Sequence, residues 1–198
     1  MSTQEQALAD LASLLDRLRI PYMIIGGLAN AVWGEPRATV DIDVSLWVAE
    51  AEIRSTIAHL TAHLPALVAE PAEFVARTRV LPVADSRGVR IDIVFGMLPF
   101  EEQAIRRAVT IPVAGAPVRF CTAEDLILHK VVSDREQDLA DVRGILRRQL
   151  PRLDLAYLEP RIAELARLLD RPEIQSSFSA WKREASGPGR AEPDGRAS

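Results

Sequence analysis

Gly26-Gly27, thirteen further residues, and then Asp41-Ile42-Asp43 form the spacing in this chain with the most chemical content. On a β-strand, residues i and i+2 share a face, so Asp41 and Asp43 project together and Ile42 and Val44 project to the other side. Adjacent carboxylates repel. Two arrangements accommodate them: a solvated strand end, or a hard divalent cation such as Mg²⁺, which prefers carboxylate oxygens. Asp92 interrupts the apolar run Val89-Arg90-Ile91-Asp92-Ile93-Val94-Phe95 and points away from Ile91, Ile93 and Phe95. Alone it reads as an edge position or an ion pair with Arg90. Beside the Asp41 strand it would be a third acid. Three converging carboxylates suit one or two Mg²⁺ ions, which stabilise the attacking and leaving oxygens of an in-line nucleotidyl displacement.

Two further features bear on phosphate chemistry. Gly26-Gly27 closes an apolar run and opens a helix, where backbone can approach a phosphate and the helix start offers free N–H donors. Taken alone, Gly-Gly is simply a turn. The chain has 24 basic residues, of which only Lys130 and Lys182 are lysine. Lysine binds phosphate as a compact point charge. Lys130 reads either as such a group or as a surface lysine on the helix after Thr122.

The elements that must position these groups follow from hydrophobic periodicity. Helices are expected over residues 4–19, 28–33, 50–63, 100–107, 136–149 and 154–169, and from Thr122 onward, where Thr122-Ala123-Glu124-Asp125 resembles a capping box. Strands are expected over 22–25, 40–48, 78–83, 89–95, 109–113 and 118–120, with hairpin turns at 84–88 and 114–117. The fold class is therefore α/β (α+β): a small mixed, twisted sheet flanked by helices, with a helical C-terminal part. Residues 1–121 form the core unit, 122–184 complete a cleft, and 185–198, rich in Gly and Pro, form a disordered tail.

Composition narrows the class. Over 198 residues, 48% are hydrophobic and 26% charged, with a formal net charge of −4, which suits a globular domain and excludes a strongly basic nucleic-acid coat. The single cysteine, Cys121, excludes an internal disulfide and fits a reducing compartment. The N-terminus lacks a signal-peptide pattern, and no apolar run approaches the roughly 18 residues of a membrane span. A cytoplasmic location and no membrane partner are expected.

The pattern IIGGLANAVWGEPRATVDIDV, with the later acid in IDIVFG, resembles the nucleotidyltransferase superfamily related to the DNA polymerase β palm. Pro36, Arg37, Thr39 and Asp41, with the segment TAEDLILHKVVSDREQDLADVRGIL, resemble its AbiEii-like branch, which includes toxins of toxin–antitoxin pairs. The resemblance implies that Asp41 and Asp43 bind Mg²⁺ and that Asp92 completes the metal site or acts as base toward an acceptor hydroxyl. It implies that Gly26, Gly27, Arg37, Thr39 and Lys130 contact the nucleoside triphosphate, and that an aspartate of REQDLAD joins them. Asp138 is preferred to Asp141, because Lys130, Asp134 and Asp138 would share a helix stripe. Position 27 is glycine where many active relatives carry serine. The implied activity is transfer of a nucleoside monophosphate from an NTP to a hydroxyl, releasing pyrophosphate. The acceptor would be tRNA or a small molecule, with a cognate antitoxin as a partner if the chain is a toxin. A retired relative that binds nucleotide without chemistry, and a structural protein indifferent to Mg²⁺, are the readings outside catalysis.

Other groups read as structural. His59 and His63 are spaced as helical zinc ligands but have no third ligand nearby in sequence. His129 lies next to Lys130 and is placed to reach the cleft. Cys121 reads as a buried, inert thiol. Trp33, Trp47 and Trp181 are too scattered for a base-stacking platform. Arg143, Arg147 and Arg148 read as a solvated basic face.

Overall fold

The computed structural model describes residues 2–97 and 99–187. Helix α1 (Thr3–Arg17) opens on a capping box, in which Ser2 and Glu5 each accept the other's backbone N–H. There follow β1 (Tyr22–Ile24), α2 (Gly26–Trp33), β2 (Ile42–Leu46), a short 3₁₀ turn over Glu50–Glu52, α3 (Ile53–Thr61) and α4 (Pro71–Thr78). A first hairpin joins β3 (Val80–Ala84) to β4 (Arg90–Phe95). Helix α5 (Pro99–Arg107) precedes a second hairpin, β5 (Val109–Val113) with β6 (Ala116–Phe120). Four helices close the described chain: α6 (Ala123–Val131), α7 (Glu136–Gln149), α8 (Leu155–Leu168) and α9 (Pro172–Ser186).

The strands form one mixed sheet in the order β3-β4-β2-β1-β6-β5. Both hairpins are antiparallel, as is β1 with β2, whereas β2 with β4 and β1 with β6 run parallel. The expected mixed sheet flanked by helices is thus observed. The β2–β4 register pairs Ile42 with Ile91, Val44 with Ile93 and Leu46 with Phe95, all buried. On the opposite face the same register sets Asp43 beside Asp92. Residues of the C-terminal helices, such as Leu126, Val142, Ile145, Leu158 and Phe178, share one hydrophobic core with Ile24, Val44 and Ile93.

Several boundaries differ from expectation. The strand expected over 40–48 is shorter, and Val40 and Asp41 lie outside it, with Val40 exposed. The helix expected over 28–33 begins two residues earlier and includes both glycines. Helix α4 is not among the expected elements, because Val75 is its one buried residue and no apolar stripe announces it. Helix α9 also lies outside the expected elements; Pro172 starts it, and Ile174, Phe178 and Trp181 bury one narrow face. The expected tail begins too early: Ala185 and Ser186 complete α9, and residues 188–198 lie outside the described residues. His63 falls beyond the end of α3, so His59 and His63 do not share a helical face.

The polar groups that tie the layers together are specific. Trp33 donates its indole N–H to the carbonyl of Cys121 at 2.8 Å, fixing α2 against the start of α6. Asp125, fully buried, accepts from the Tyr157 hydroxyl at 2.7 Å and from Thr122 at 2.8 Å, joining α6 to α8. Among the described residues, no helix is long and apolar enough to cross a membrane.

Ile93 sits at 0% exposure in the middle of β4, two residues from the buried Phe95. Ile93→Ala removes a fully packed side chain and is expected to cost about 2–5 kcal/mol of unfolding free energy, the usual range for such a cavity. Urea titration followed by circular dichroism measures it.

Candidate active site

Where β1 ends and α2 begins, the backbone turns through Gly26 at φ +64°, a conformation that side chains rarely adopt. A Cβ there would also lie 1.9 Å from Asp43 Oδ2. Gly26 is therefore required twice, by its backbone angle and by the carboxylate pressed against it. Asp43 accepts the backbone N–H of Gly27, so the carboxylate rests on the free donors of the α2 start. Burial raises the Asp43 pKa above the ordinary carboxylate range. The neighbouring Asp92 and then Asp41 raise it further, against the opposing pull of the Gly27 N–H and Lys130.

These groups line a cavity of about 510 Å³ at the end of the sheet, within the range of small-molecule sites. Asp41, Asp43 and Asp92 line it from the sheet side, with Gly26 and Gly27 from α2 and Arg37 and Thr39 from the loop before β2. Leu126, His129 and Lys130 from α6, with Arg135 and Asp138, line it from the helical side. The cavity thus brings together every site residue expected from the sequence.

The details correct several expectations. Asp41 stands in the bend before β2 rather than on the strand, so the i, i+2 argument does not place it. Asp92 both lines the cavity and pairs with Arg90, which reaches its two oxygens at 3.0–3.2 Å. The ion pair with Arg90 is thus observed, on a strand inside the sheet rather than at its edge, and the same side chain also lines the cavity. Among the described residues, no three His, Cys, Asp or Glu side chains form a ready group for a metal ion. The three acids share a cavity without being drawn onto one point, and Arg90 is the cation that holds the third. Their chemistry nevertheless fits a hard divalent ion: the donors are all carboxylate oxygens, and Asp43 lies among like charges that a cation would relieve.

Lys130 does not share a helix stripe with Asp134 and Asp138. Helix α6 ends at Val131 and α7 starts at Glu136, and the two pack as a hairpin. Lys130 Nζ lies 2.7 Å from Asp138 Oδ1 and 2.7 Å from Asp141 Oδ2, with its side chain only 6% exposed. Asp134 is exposed and pairs with Arg171 instead. Asp141, which the sequence ranked below Asp138, is the more connected acid. It takes both arms of the Arg37 guanidinium at 3.2 Å, Lys130, and the Gln137 amide at 3.1 Å. Burial pushes the Asp141 carboxyl up. Hydrogen bonds from Arg37, Lys130 and Gln137 and the charge of Lys130 more than offset it, leaving its pKa below the ordinary value. In Asp138 burial is likewise outweighed by Lys130, Ser133 and Arg135.

The remaining candidates resolve simply. His129 lines the cavity, its Nε2 has no hydrogen-bond partner among the described residues, and burial lowers its pKa. Cys121 is fully buried and its thiol pKa is pushed far up, as an inert thiol requires. The arginine face of α7 is not simply solvated. Arg147 binds Glu35, Arg148 donates to the carbonyl of Gly34, and Arg143 stacks 4.9 Å from the Trp181 ring centroid.

Comparison with known proteins gives a consistent picture. A family model described as "Nucleotidyltransferase of unknown function (DUF6036)" matches residues 2–184. No curated protein matches the sequence. Among solved structures, an antigenic nucleotidyltransferase-like protein from Paracoccidioides brasiliensis superposes with a TM-score of 0.53 at 20% identity, covering 91% of this chain and 94% of that one. The solution structure of the antibiotic-resistance factor ANT(2'')-Ia gives 0.53 at 15% identity, covering 93% and 97%. The same factor in complex with adenylyl-2''-tobramycin gives 0.51 at 14% identity, covering 92% and 99%. At these identities the likeness concerns the fold.

Two expected outcomes follow from the geometry. Gly26→Ala would meet both the positive φ and the Asp43 carboxylate, and thermal unfolding should show a clear loss of stability relative to Gly115→Ala, where the φ is also positive but nothing lies near the added Cβ. Asp141 contributes stability while ionised, above its unfolded pKa, and that contribution is lost as pH falls through its depressed folded value. Asp141→Asn should therefore lower stability at neutral pH and flatten the fall in stability on acidification, read from unfolding midpoints across the acid range.

Proposed function

Because this chain belongs to the nucleotidyltransferase family described as DUF6036, we propose that it transfers a nucleoside monophosphate from an NTP to an acceptor hydroxyl, releasing pyrophosphate. The observation that carries the reading is the β2–β4 register, which sets Asp43 beside Asp92 in a cavity whose opposite wall carries Lys130. That pairing of acids and cation suits a triphosphate held against a divalent ion.

In this reading Arg37 and Lys130 neutralise the phosphate oxygens of the nucleotide. Asp141 and Asp138 hold both cations in place beforehand, so little side-chain ordering remains to be done when the nucleotide arrives. The first turn of α2 offers its N–H groups to the same anion. Asp41 and Asp43 would hold Mg²⁺, which when bound supplies charge neutralisation at the reacting phosphate. The acceptor hydroxyl oxygen forms a bond to the α-phosphorus while the bond to the oxygen bridging to the β-phosphorus breaks. The hydroxyl proton passes to an Asp92 carboxylate oxygen, and the electron pair leaves with pyrophosphate. Arg90 orients Asp92 for this step.

The test is a screen of the four NTPs, α-labelled, with Mg²⁺ against total tRNA, protein and small hydroxyl acceptors including an aminoglycoside. Labelled product with one acceptor class supports the reading and identifies the class. Metal-dependent NTP binding without product in any arm favours a retired relative, and indifference to both ligands overturns the nucleotide reading. Asp41→Asn and Asp43→Asn should each reduce turnover by at least about 100-fold, as expected for loss of a transition-state charge partner. Far-UV circular dichroism should stay unchanged. Full activity in Asp41→Asn would refute its assigned role.

A further inference from the structure

We infer that the Thr39 hydroxyl is the side-chain donor to a phosphate oxygen of the nucleotide, and that it occupies the place a side chain at position 27 would otherwise fill. The inference rests on the nucleotide reading of this cavity and adds to it an exchangeable pair, 27 with 39.

The two glycines of the α2 start are glycine for different reasons. Gly26 has a positive φ, whereas Gly27 is not among the positive-φ residues, so its backbone is open to any side chain. What excludes a side chain at 27 is space. A Cβ there would lie 2.6 Å from Thr39 Oγ1 and 2.8 Å from Thr39 Cβ. The Thr39 side chain thus leans directly onto the first turn of α2, where a side chain of residue 27 would start. Among the described residues its hydroxyl makes one long contact, 3.5 Å to the carbonyl of Asp41, which leaves its donor capacity largely unused. Its backbone is tethered: Gln4 of α1 donates to the Thr39 carbonyl at 3.2 Å and reaches the Asp41 carbonyl at 3.4 Å. Thr39 lines the cavity together with Arg37 and Lys130. A tethered, underused hydroxyl at a helix start, facing a cavity lined by Arg37, Lys130 and Arg135, suits an anionic oxygen.

Calorimetric titration with a non-hydrolysable NTP analogue and Mg²⁺ tests this, with thermal unfolding confirming that each variant folds. Thr39→Val keeps the shape and removes the hydroxyl, and should weaken binding by about tenfold or more, the scale of a hydrogen bond to a charged group. Thr39→Ser should stay close to the unmodified protein. Gly27→Ser alone places two side chains in one volume and should weaken binding. The double variant Gly27→Ser with Thr39→Gly removes the Cβ that would stand 2.8 Å away, restores a hydroxyl, and should bind to within a few-fold of the unmodified protein. Binding by Thr39→Val equal to that of the unmodified protein would overturn the inference. So would a double variant no better than Thr39→Gly alone, which decides the matter even if the valine variant fails to fold. Failure of the unmodified protein to bind any NTP would overturn the nucleotide reading and this assignment together. Normal binding that is indifferent to position 39 would overturn this assignment alone.

Discussion

Two carboxylates on neighbouring parallel strands cannot separate without breaking the sheet. The register that buries Ile42, Val44 and Leu46 against Ile91, Ile93 and Phe95 on one face puts Asp43 beside Asp92 on the other. The hydrophobic core thereby enforces an electrostatic conflict, and the surroundings are arranged to contain it. Arg90 takes one acid, and the N–H of Gly27 takes the other. Gly26 provides the space for that second contact by having no Cβ. A residual repulsion from Asp92 and Asp41 remains at Asp43, and with burial it holds that carboxyl above its ordinary pKa.

The opposite wall obeys a complementary constraint. Lys130 is nearly buried, and a buried ammonium is costly unless it is paired and hydrogen-bonded. Asp138 and Asp141 pair it, and Asp141 extends the network to Arg37, in the loop that carries Thr39 and Asp41. One acid on α7 thus couples the helical hairpin to the loop leading into β2. The two cations and the acid cluster are held at fixed positions across one cavity by packing that lies outside it. This is the form of preorganisation that favours binding a multiply charged ligand over ordering the side chains afterwards.

The arginines of this chain mostly serve internal contacts. Arg107 and Arg161 each lie 3.7 Å from the centroid of the Tyr157 ring, whose hydroxyl binds the buried Asp125. Arg148 and Arg147 hold the 34–35 loop against α7. These contacts anchor α6, α7 and α8 and so set where Lys130 and Asp141 stand. The planar guanidinium bonds carboxylates bidentately and stacks on rings, which fits the use of arginine to join these helices.

Local patterns sufficed for much of this protein. The alternation around Asp92, the turn residues near 84–88 and 114–117, the cap at Thr122 and the apolar stripe of α7 act over a few neighbouring residues, and each element appears within a residue or two of those patterns, with Ala84 in β3 and Ala116 and Pro117 in β6 rather than in the turns. The spacing of Gly26-Gly27 and Asp41-x-Asp43 likewise carried the superfamily resemblance. Helices α4 and α9 were not legible, because each buries too few residues for periodicity to stand out and is held by tertiary packing. The sequence also could not decide among Asp134, Asp138 and Asp141. That choice depends on where one helix stops and how the next packs back on it, which brings residues eight and eleven apart onto the same ammonium. Nor could it reveal that Thr39 stands where a side chain of residue 27 would be, since contact across a loop depends on the path of the chain rather than on spacing along it. The sequence by itself determined which charges and turns this protein has. The tertiary structure decided which of them meet, because side chains interact through distances that only the packed core establishes.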